Sequence, residues 1–139
     1  MGFHLHERLA ADTIHVGDLA LSRVLLMNDR RFPWLILVPR REGLRDFDEV
    51  AAEDKVAFYR EIEQASAALR ALTGAHKLNV GALGNMVPQL HVHIVARFPA
   101  DAAWPAPVWG YGVAEPCESG ALEGLVAKLR RALDPESGD

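Results

Sequence analysis

Two histidines and a glutamine alternate with apolar residues in the stretch 88–98. Alternation at period two is typical of a strand that buries one face. The residues that it assigns to the core are Leu90, Val92 and Ile94. Gln89, His91 and His93 then share the opposite face, because successive strand side chains point to opposite sides. Imidazoles can attack an electrophile, donate to developing charge or bind a metal, so this face is the expected chemical centre.

The segment from Gln89 to Val95 resembles the signature of the histidine triad (HIT) family of nucleotide hydrolases and transferases. That signature is His-x-His-x-His with apolar flanks on a strand, and Gln89 stands here in place of the first histidine. The resemblance extends to Asn79, the loop 81–85, the strand 35–39 and the order of the elements. It implies a HIT-like fold and a homodimer that acts on a purine nucleotide without a cofactor.

By the same resemblance, His91 attacks the α-phosphorus of a purine nucleotide conjugate and forms a nucleotidyl-histidine, which water then hydrolyses. Dinucleoside polyphosphates and nucleoside phosphoramidates are both eligible substrates. A neutral imidazole can do this when one ring nitrogen is free and an acceptor holds the other as N–H. His93 would hydrogen-bond the phosphate oxygens or the leaving atom. Gln89 cannot carry a proton at neutral pH, so its predicted role is to orient.

The glycine-containing loop before this strand is the candidate phosphate site. Asn79 and Asn85 flank the loop and are candidates for hydrogen bonds to the phosphate or the leaving group. Gly84 would let the backbone approach a phosphate closely, although a simple turn explains the glycine spacing equally well. Asn28 or Asp29 corresponds to the ribose-contacting acid that the family places after its second strand.

Two other interpretations of the histidine strand stay open. In one, the change at Gln89 leaves a nucleotide-binding or regulatory module without useful turnover. In the other, His91 and His93 are metal ligands, but two imidazoles do not complete a zinc site and the sequence names no third ligand. We therefore assign no metal. The pair His4 and His6 has the same spacing and is interpreted as surface or capping decoration.

Three further side chains follow the histidines closely in sequence and are candidates for contributing to the site. Arg97 shares the strand parity of His91 and could neutralise phosphate, although a solvated strand-end arginine is the favoured interpretation. Trp104 and Trp109 belong to the Pro- and Trp-rich loop 99–117. This loop resembles the aromatic carboxy-terminal loops that close HIT sites or reach the partner subunit, and packing onto the sheet is the alternative.

The strands that position these residues are predicted from period-two patterns and turn signals. A hairpin that turns at Gly17-Asp18 precedes a nearly all-apolar strand, 34–38, which is the expected centre of the sheet. A short strand, 77–80, follows the long helix. The order of the elements indicates an α+β fold with an antiparallel sheet of about five strands, in a single domain over 1–139.

Two helices are predicted from apolar residues that recur every three or four positions. The first carries Phe58, Ile62, Ala65, Leu69 and Leu72. Gly74 is placed to end it. The second is the C-terminal helix 118–134, with Ser119 as a candidate N-cap and Asp134-Pro135 at its end.

Composition narrows the functional classes. A chain of 139 residues with half of them hydrophobic is long enough for one well-packed domain. The formal charge of −4 gives no general attraction to nucleic acid. The single Cys117 excludes an internal disulfide and favours the cytoplasm. No leader pattern or membrane-spanning apolar run is recognised in the sequence, so we expect neither export nor a membrane partner.

Overall fold

The structure is a computed structural model that describes residues 2–134. Five strands and three α-helices make up the described part of the chain. The strands are β1 Thr13–Asp18, β2 Ser22–Met27, β3 Trp34–Pro39, β4 Lys77–Gly81 and β5 Val92–Arg97. The helices are α1 Glu7–Asp12, α2 Ala52–Thr73 and α3 Ser119–Leu133, with a single 3₁₀ turn at Phe47–Glu49. The element types and their order confirm the expected α+β architecture.

All five strands form one antiparallel sheet in the order β1-β2-β3-β5-β4. β3 lies at the centre of the sheet, as its apolar sequence predicts. The ladder sets Ile36 of β3 on one side of His93 and Gly81 of β4 on the other. The second histidine of the motif is therefore held between two neighbouring strands, well inside the sheet.

The two faces of the sheet are covered by different material. On one face, α2 and α3 pack over a large apolar cluster that includes Leu35, Leu69 and Ile94. On the other face, α1 and the loop 99–117 pack over a smaller cluster that includes Val95 and Trp34. We call these the helix face and the histidine face, because His93 shares its strand parity with Val95. The sheet thus separates a layer of two long helices from a layer made of the short α1 and an irregular loop.

Both long helices form where the apolar periodicity predicts them. In α2, Phe58, Ala65 and Leu69 are buried. Gly74 caps its C-terminus in the left-handed region, with φ 70°, and its N–H donates to Arg70 O. In α3, the N-cap is Glu118, so Ser119 is the first helical residue rather than the cap.

The C-terminal end of α3 agrees with the prediction as far as the structure describes it. Asp134 is the C-cap residue of α3, in agreement with the expected helix end. Pro135, which was expected to mark that end together with Asp134, lies outside the described residues, as do Met1 and the remaining C-terminal positions.

The first hairpin turns later than the sequence predicts. Gly17 and Asp18 belong to β1, with a bulge between His15 and Gly17, and the chain turns over 19–21. Two polar contacts account for the shift. The Asp18 carboxylate accepts from Arg23 Nε at 3.0 Å across the ladder, which extends the strand pairing. The buried Glu61 carboxylate accepts the backbone N–H groups that the turn leaves free.

The histidine strand begins later than its alternation suggests. β5 starts at Val92, so Gln89, Leu90 and His91 precede the ladder. The N–H of Leu90 donates to Leu44 O at 2.9 Å instead of to a neighbouring strand. The side chain of Leu90 still joins the buried cluster of the helix face, so the alternation continues although the strand pairing does not.

Candidate active site

His91 is held with one ring nitrogen occupied and the other open. Its Nδ1 lies 2.7 Å from the backbone carbonyl oxygen of Gln89. A carbonyl oxygen only accepts, so Nδ1 carries the hydrogen and the lone pair of the neutral ring is on Nε2. Burial lowers the pKa of His91 below its usual value, the bond to Gln89 opposes that shift, and the charge of His6 adds to it. At neutral pH His91 is thus a neutral imidazole whose Nε2 lone pair is not protonated.

His93 is held in the opposite sense. Trp34 Nε1 donates to His93 Nδ1 at 3.0 Å. Because the indole N–H is only a donor, Nδ1 must accept, and the hydrogen of the neutral ring is on Nε2. Burial and the neighbouring charge of His91 lower the pKa of His93 to about 4. At neutral pH, His93 therefore offers an N–H group and carries no charge.

The two imidazoles and two tryptophans form one aromatic cluster. The ring centroids of His91 and His93 are 4.8 Å apart. Trp34 and Trp109 each lie edge-on to His93 with centroids at 5.6 Å. Trp109 comes from the loop 99–117, so that loop packs onto the sheet and also borders the site. The buried Nε1 of Trp109 has no hydrogen-bond partner among residues 2–134.

The side chain of Gln89 is engaged with the beginning of the chain. Its Oε1 accepts from His6 N at 2.8 Å, and its Nε2 donates to His4 O at 2.8 Å. The amide therefore fastens the amino-terminal segment, while the backbone carbonyl of the same residue fixes the tautomer of His91. The His6 ring caps α1, with Nδ1 accepting from Arg8 N at 3.0 Å, as the capping interpretation expects.

The glycine loop approaches His91 directly. A small recess of about 50 Å³ lies between the loop and the nucleophile candidate, and its wall includes Gly84 and His91. Gly84 has φ 78°, a conformation that favours glycine. Asn85 is exposed in this loop. Asn79, by contrast, is in β4, and its Oδ1 accepts from Arg97 Nη1 at 2.7 Å.

Arg97 is neither solvated nor directed at the histidines, so both sequence interpretations of it are wrong. Its side chain is 2% exposed and forms an ion pair with Asp101 at 2.8 Å. The guanidinium also donates to Asn79 and to Ala106 O. Burial alone would raise the pKa of Asp101, but hydrogen bonds from Arg97 and from three backbone N–H groups lower it to about 2. Arg97 thus fastens the loop 99–117 to the sheet.

Asn28 and Asp29 line a separate pocket of about 400 Å³, which also has Trp34 in its wall. Asp29 accepts a fork of hydrogen bonds from Arg31, with Nη2 at 2.8 Å from Oδ2 and Nε at 3.0 Å from Oδ1. Burial alone would raise the pKa of Asp29, but these hydrogen bonds outweigh burial and lower it. Asn28 Oδ1 accepts from Cys117 N at 2.8 Å. Because Trp34 also contacts His93, the pocket and the histidines are adjacent.

The residue that sequence reasoning missed is Trp34. Its place in an apolar strand indicates core packing, and it is indeed buried. Its contact with His93 follows from a register between two strands that are 59 residues apart in sequence. Nothing in the local pattern signals this contact.

Residues 2–134 contain no group of three or more His, Cys, Asp or Glu side chains arranged to hold a metal ion. Within the same residues, no helix is long and apolar enough to cross a bilayer.

Comparison with known proteins identifies the class. The model of the HIT domain family matches residues 8–100, which is more than half of the chain. A crystal structure of a histidine triad protein from Bradyrhizobium japonicum is 43% identical, with 96% of this chain and 100% of that chain covered and a TM-score of 0.94. A search of curated proteins found no match.

Two further crystal structures agree. Histidine triad proteins from Sinorhizobium meliloti and Marinobacter aquaeolei are each 46% identical, with TM-scores of 0.92. The first covers 94% of this chain and 97% of its own, and the second covers 96% and 97%. The chain therefore belongs to the HIT domain family, and its fold is the expected HIT-like fold.

Proposed function

We propose that this protein cleaves a purine nucleotide conjugate at the α-phosphate through a covalent nucleotidyl-His91 intermediate. The observation that carries the proposal is the hydrogen bond from His91 Nδ1 to Gln89 O at 2.7 Å, which leaves Nε2 unprotonated. A neutral, buried imidazole with a fixed tautomer is an activated nucleophile for phosphorus. In this proposal Gln89 takes the place of the first triad histidine, and its carbonyl performs the orienting role.

In the first step, the lone pair of His91 Nε2 forms a bond to phosphorus. The bond to the leaving group breaks, and its electron pair departs with that group. The Nε2–H of His93 donates to the phosphate oxygens or to the leaving atom, where negative charge increases. Nδ1–H of His91 remains bonded to Gln89 O, so the carbonyl stabilises the positive charge that the ring gains.

In the second step, water attacks the phosphorus from the side that the leaving group has vacated. The bond between phosphorus and Nε2 breaks, the lone pair returns to His91, and the proton of the water is released. An alternative acceptor in place of water would make the same chemistry a nucleotidyl transfer. Positioning and charge stabilisation supply most of the rate in such reactions, which fits a site built of fixed hydrogen bonds.

The α-phosphate is proposed to lie between His91 and the glycine loop. The recess between Gly84 and His91 supports this placement, because the loop backbone and the nucleophile border the same space. Asn85 follows Gly84 in the loop and is exposed, so its amide is free to donate to a phosphate oxygen. The amide oxygen of Asn79 is engaged by Arg97, so a contact from Asn79 to substrate would have to come from its NH₂ group.

The nucleoside is proposed to occupy the 400 Å³ pocket beside Trp34. Asp29 Oδ2 accepts one hydrogen bond, from Arg31, so it retains a lone pair for a ribose hydroxyl. Asn28 lines the same pocket, and its NH₂ group is a second candidate contact. The shared wall at Trp34 would place the base and the reacting phosphate on neighbouring sides of one indole.

The decisive experiment incubates chelator-treated protein with diadenosine polyphosphates and adenosine phosphoramidates and measures release of nucleoside monophosphate. We expect release by the wild type and trapping of a nucleotidyl-protein adduct by a rapid alkaline denaturing quench, because the P–N bond of a nucleotidyl-histidine is stable in alkali and labile in acid. A His91→Ala variant should give neither. Monophosphate binding without release from any substrate would contradict catalysis and indicate a binding module.

We also propose that the chain acts as one domain and as a homodimer in the cytoplasm. β4 is an edge strand, and unpaired edges are sites where a second chain can add. Large apolar side chains on and near α2 and β4 are exposed: Phe47, Val56, Tyr59, Val80, Leu83 and Met86. Sedimentation equilibrium should give a dimer for the wild type and a monomer for a Tyr59→Glu, Val80→Lys variant. A monomeric wild type would contradict this part of the proposal.

A further inference from the structure

Trp34 determines what His93 can do with its proton. The indole Nε1–H is a donor with no acceptor capacity, and it lies 3.0 Å from His93 Nδ1. A second hydrogen on Nδ1 would point at the indole hydrogen. His93 therefore cannot become an imidazolium while this bond is intact.

The remaining proton of His93, on Nε2, is one that the ring cannot give away. Its loss from a neutral imidazole would leave an imidazolate anion in a site where both the residue itself and His91 are 6% exposed. His93 can accordingly donate a hydrogen bond to a developing anion, but it cannot transfer a proton to a leaving group. Burial acts in the same direction, because it lowers the pKa of His93 to about 4.

We propose that Trp34, as a positioning residue, restricts this site to leaving groups that depart as anions and take no proton. The inference rests on the proposed function and names its substrate class: conjugates joined to the α-phosphate through a phosphate oxygen. When the P–O bond of such a conjugate breaks, the electron pair stays on the oxygen of the departing phosphate. That oxygen has a conjugate acid with a pKa of about 6, so it is stable without a proton at neutral pH.

A phosphoramidate requires a different balance. When a P–N bond breaks, the electron pair remains on nitrogen, and the group would depart as an amide anion, a far stronger base than a phosphate oxygen. The nitrogen must therefore receive a proton as the bond breaks and leave as a neutral amine. The fixed tautomer of His93 withholds that proton. A polyphosphate chain should therefore be cleaved much more efficiently than an amide of the same nucleotide.

The first test determines which ring nitrogen of His93 carries the hydrogen. Nitrogen-15 spectra of histidine-labelled wild-type protein at pH 7 should show His93 with unprotonated Nδ1 and protonated Nε2. The matched variants are Trp34→Phe and Trp109→Phe, since both tryptophans lie edge-on to His93 at 5.6 Å. Only Trp34 donates to the ring, so only its replacement should raise the pKa of His93 and allow an imidazolium.

The second test measures kcat/KM for diadenosine tetraphosphate and for adenosine 5′-phosphoramidate in the same three proteins. The wild type should favour the tetraphosphate, and Trp34→Phe should shift the ratio toward the phosphoramidate by at least about tenfold, because general acid catalysis contributes about 10²–10⁴-fold where it operates fully. The shift should grow as the pH falls, because the released imidazole then charges. Trp109→Phe should leave the ratio at its wild-type value.

The two hypotheses fail in different ways. Equal efficiency of the wild type on both substrates, or a wild-type spectrum with protonated His93 Nδ1, would overturn the leaving-group inference alone. Since both readings come from the wild type, they hold even where a variant does not fold. Turnover of neither substrate would overturn the proposed function and this inference together.

Discussion

The helix face and the histidine face of the sheet are built by different means. The helix face is made of apolar side chains that repeat along α2, α3 and the strands. The histidine face is fastened by polar contacts between distant parts of the chain, such as Gln89 with His6 and Trp34 with His93. An apolar cluster spreads its stabilisation over many contacts and tolerates substitutions that conserve volume, whereas each polar contact depends on one pair of residues. We expect mutations on the helix face to affect mainly the free energy of unfolding. Mutations on the histidine face should affect mainly the catalytic activity.

The largest difference between loss of activity and loss of stability should come from His91→Ala on the histidine face. The variant loses the nucleophile, so release of monophosphate should fall by about 10³-fold or more. The free energy of unfolding should fall by only about 1–3 kcal/mol, because the variant truncates one buried ring and leaves Gln89 O without its donor. Activity assays and urea denaturation of the same preparation test both parts. A variant that retains activity would show that another residue is the nucleophile.

Arg97→Met tests whether the histidine face also contains a purely structural contact. The change leaves Asp101 buried without its partner, so we expect a loss of roughly 3–5 kcal/mol in the free energy of unfolding. The double variant Arg97→Met, Asp101→Leu removes the stranded charge and should regain part of that loss. Urea denaturation of the single and double variants makes the measurement. Equal stability of the two would mean that the ion pair is not what fastens the loop 99–117.

Leu69→Ala is the corresponding change on the helix face. Leu69 is fully buried in α2 within the large apolar cluster, so its truncation should cost about 3 kcal/mol through lost contacts and a residual cavity. At a temperature where the variant remains folded, kcat should be close to wild type. A selective loss of kcat in the folded variant would show that the two faces are coupled, and the distinction drawn between them would fail.

The difference between repeated apolar patterns and single polar contacts also determines what could be predicted from the sequence. Periodicity located α2, β3 and Gly74 as the helix end, because local patterns and turn chemistry determine them. His91 and His93 were recognised because they are two residues apart in one segment. Trp34 was missed because its pairing with His93 depends on the register between two distant strands. Asp101 was missed although it is only four residues from Arg97, because nothing in the sequence shows that the two side chains are buried together. Arg97 was misread for the same reason, since a charged residue at a strand end gives no local sign of burial.

Acid should weaken the histidine face in particular. The pKa of His93 is about 4 in the folded protein and about 6.5 in an unfolded chain, so the unfolded state binds the proton more strongly over that interval. The free energy of unfolding should therefore fall as the pH is lowered, with a contribution from His93 of about 2 kcal/mol between pH 7 and pH 5.

The control for this pH dependence is His93→Gln, which keeps an acceptor for Trp34 but does not titrate. Urea denaturation at both pH values gives the difference between the wild type and the variant. Identical pH slopes would mean that His93 is not protonated on unfolding in this range. The buried carboxylates cancel in the comparison because both proteins contain them.

The smallest expected effect concerns Gln89, whose side-chain amide and backbone carbonyl have different roles. Gln89→Ala removes both side-chain bonds to the amino-terminal segment but keeps the carbonyl that orients His91. We expect a loss of about 1–2 kcal/mol in stability and faster hydrogen exchange at His6 N, with His91 Nδ1 still protonated. Gln89→His should release the segment in the same way, since one imidazole cannot both accept from His6 and donate to His4 with the geometry of an amide. If Gln89→Ala instead lost activity as completely as His91→Ala while remaining folded, the side-chain amide would be part of the reaction itself, and the backbone carbonyl alone would not explain the orientation of His91.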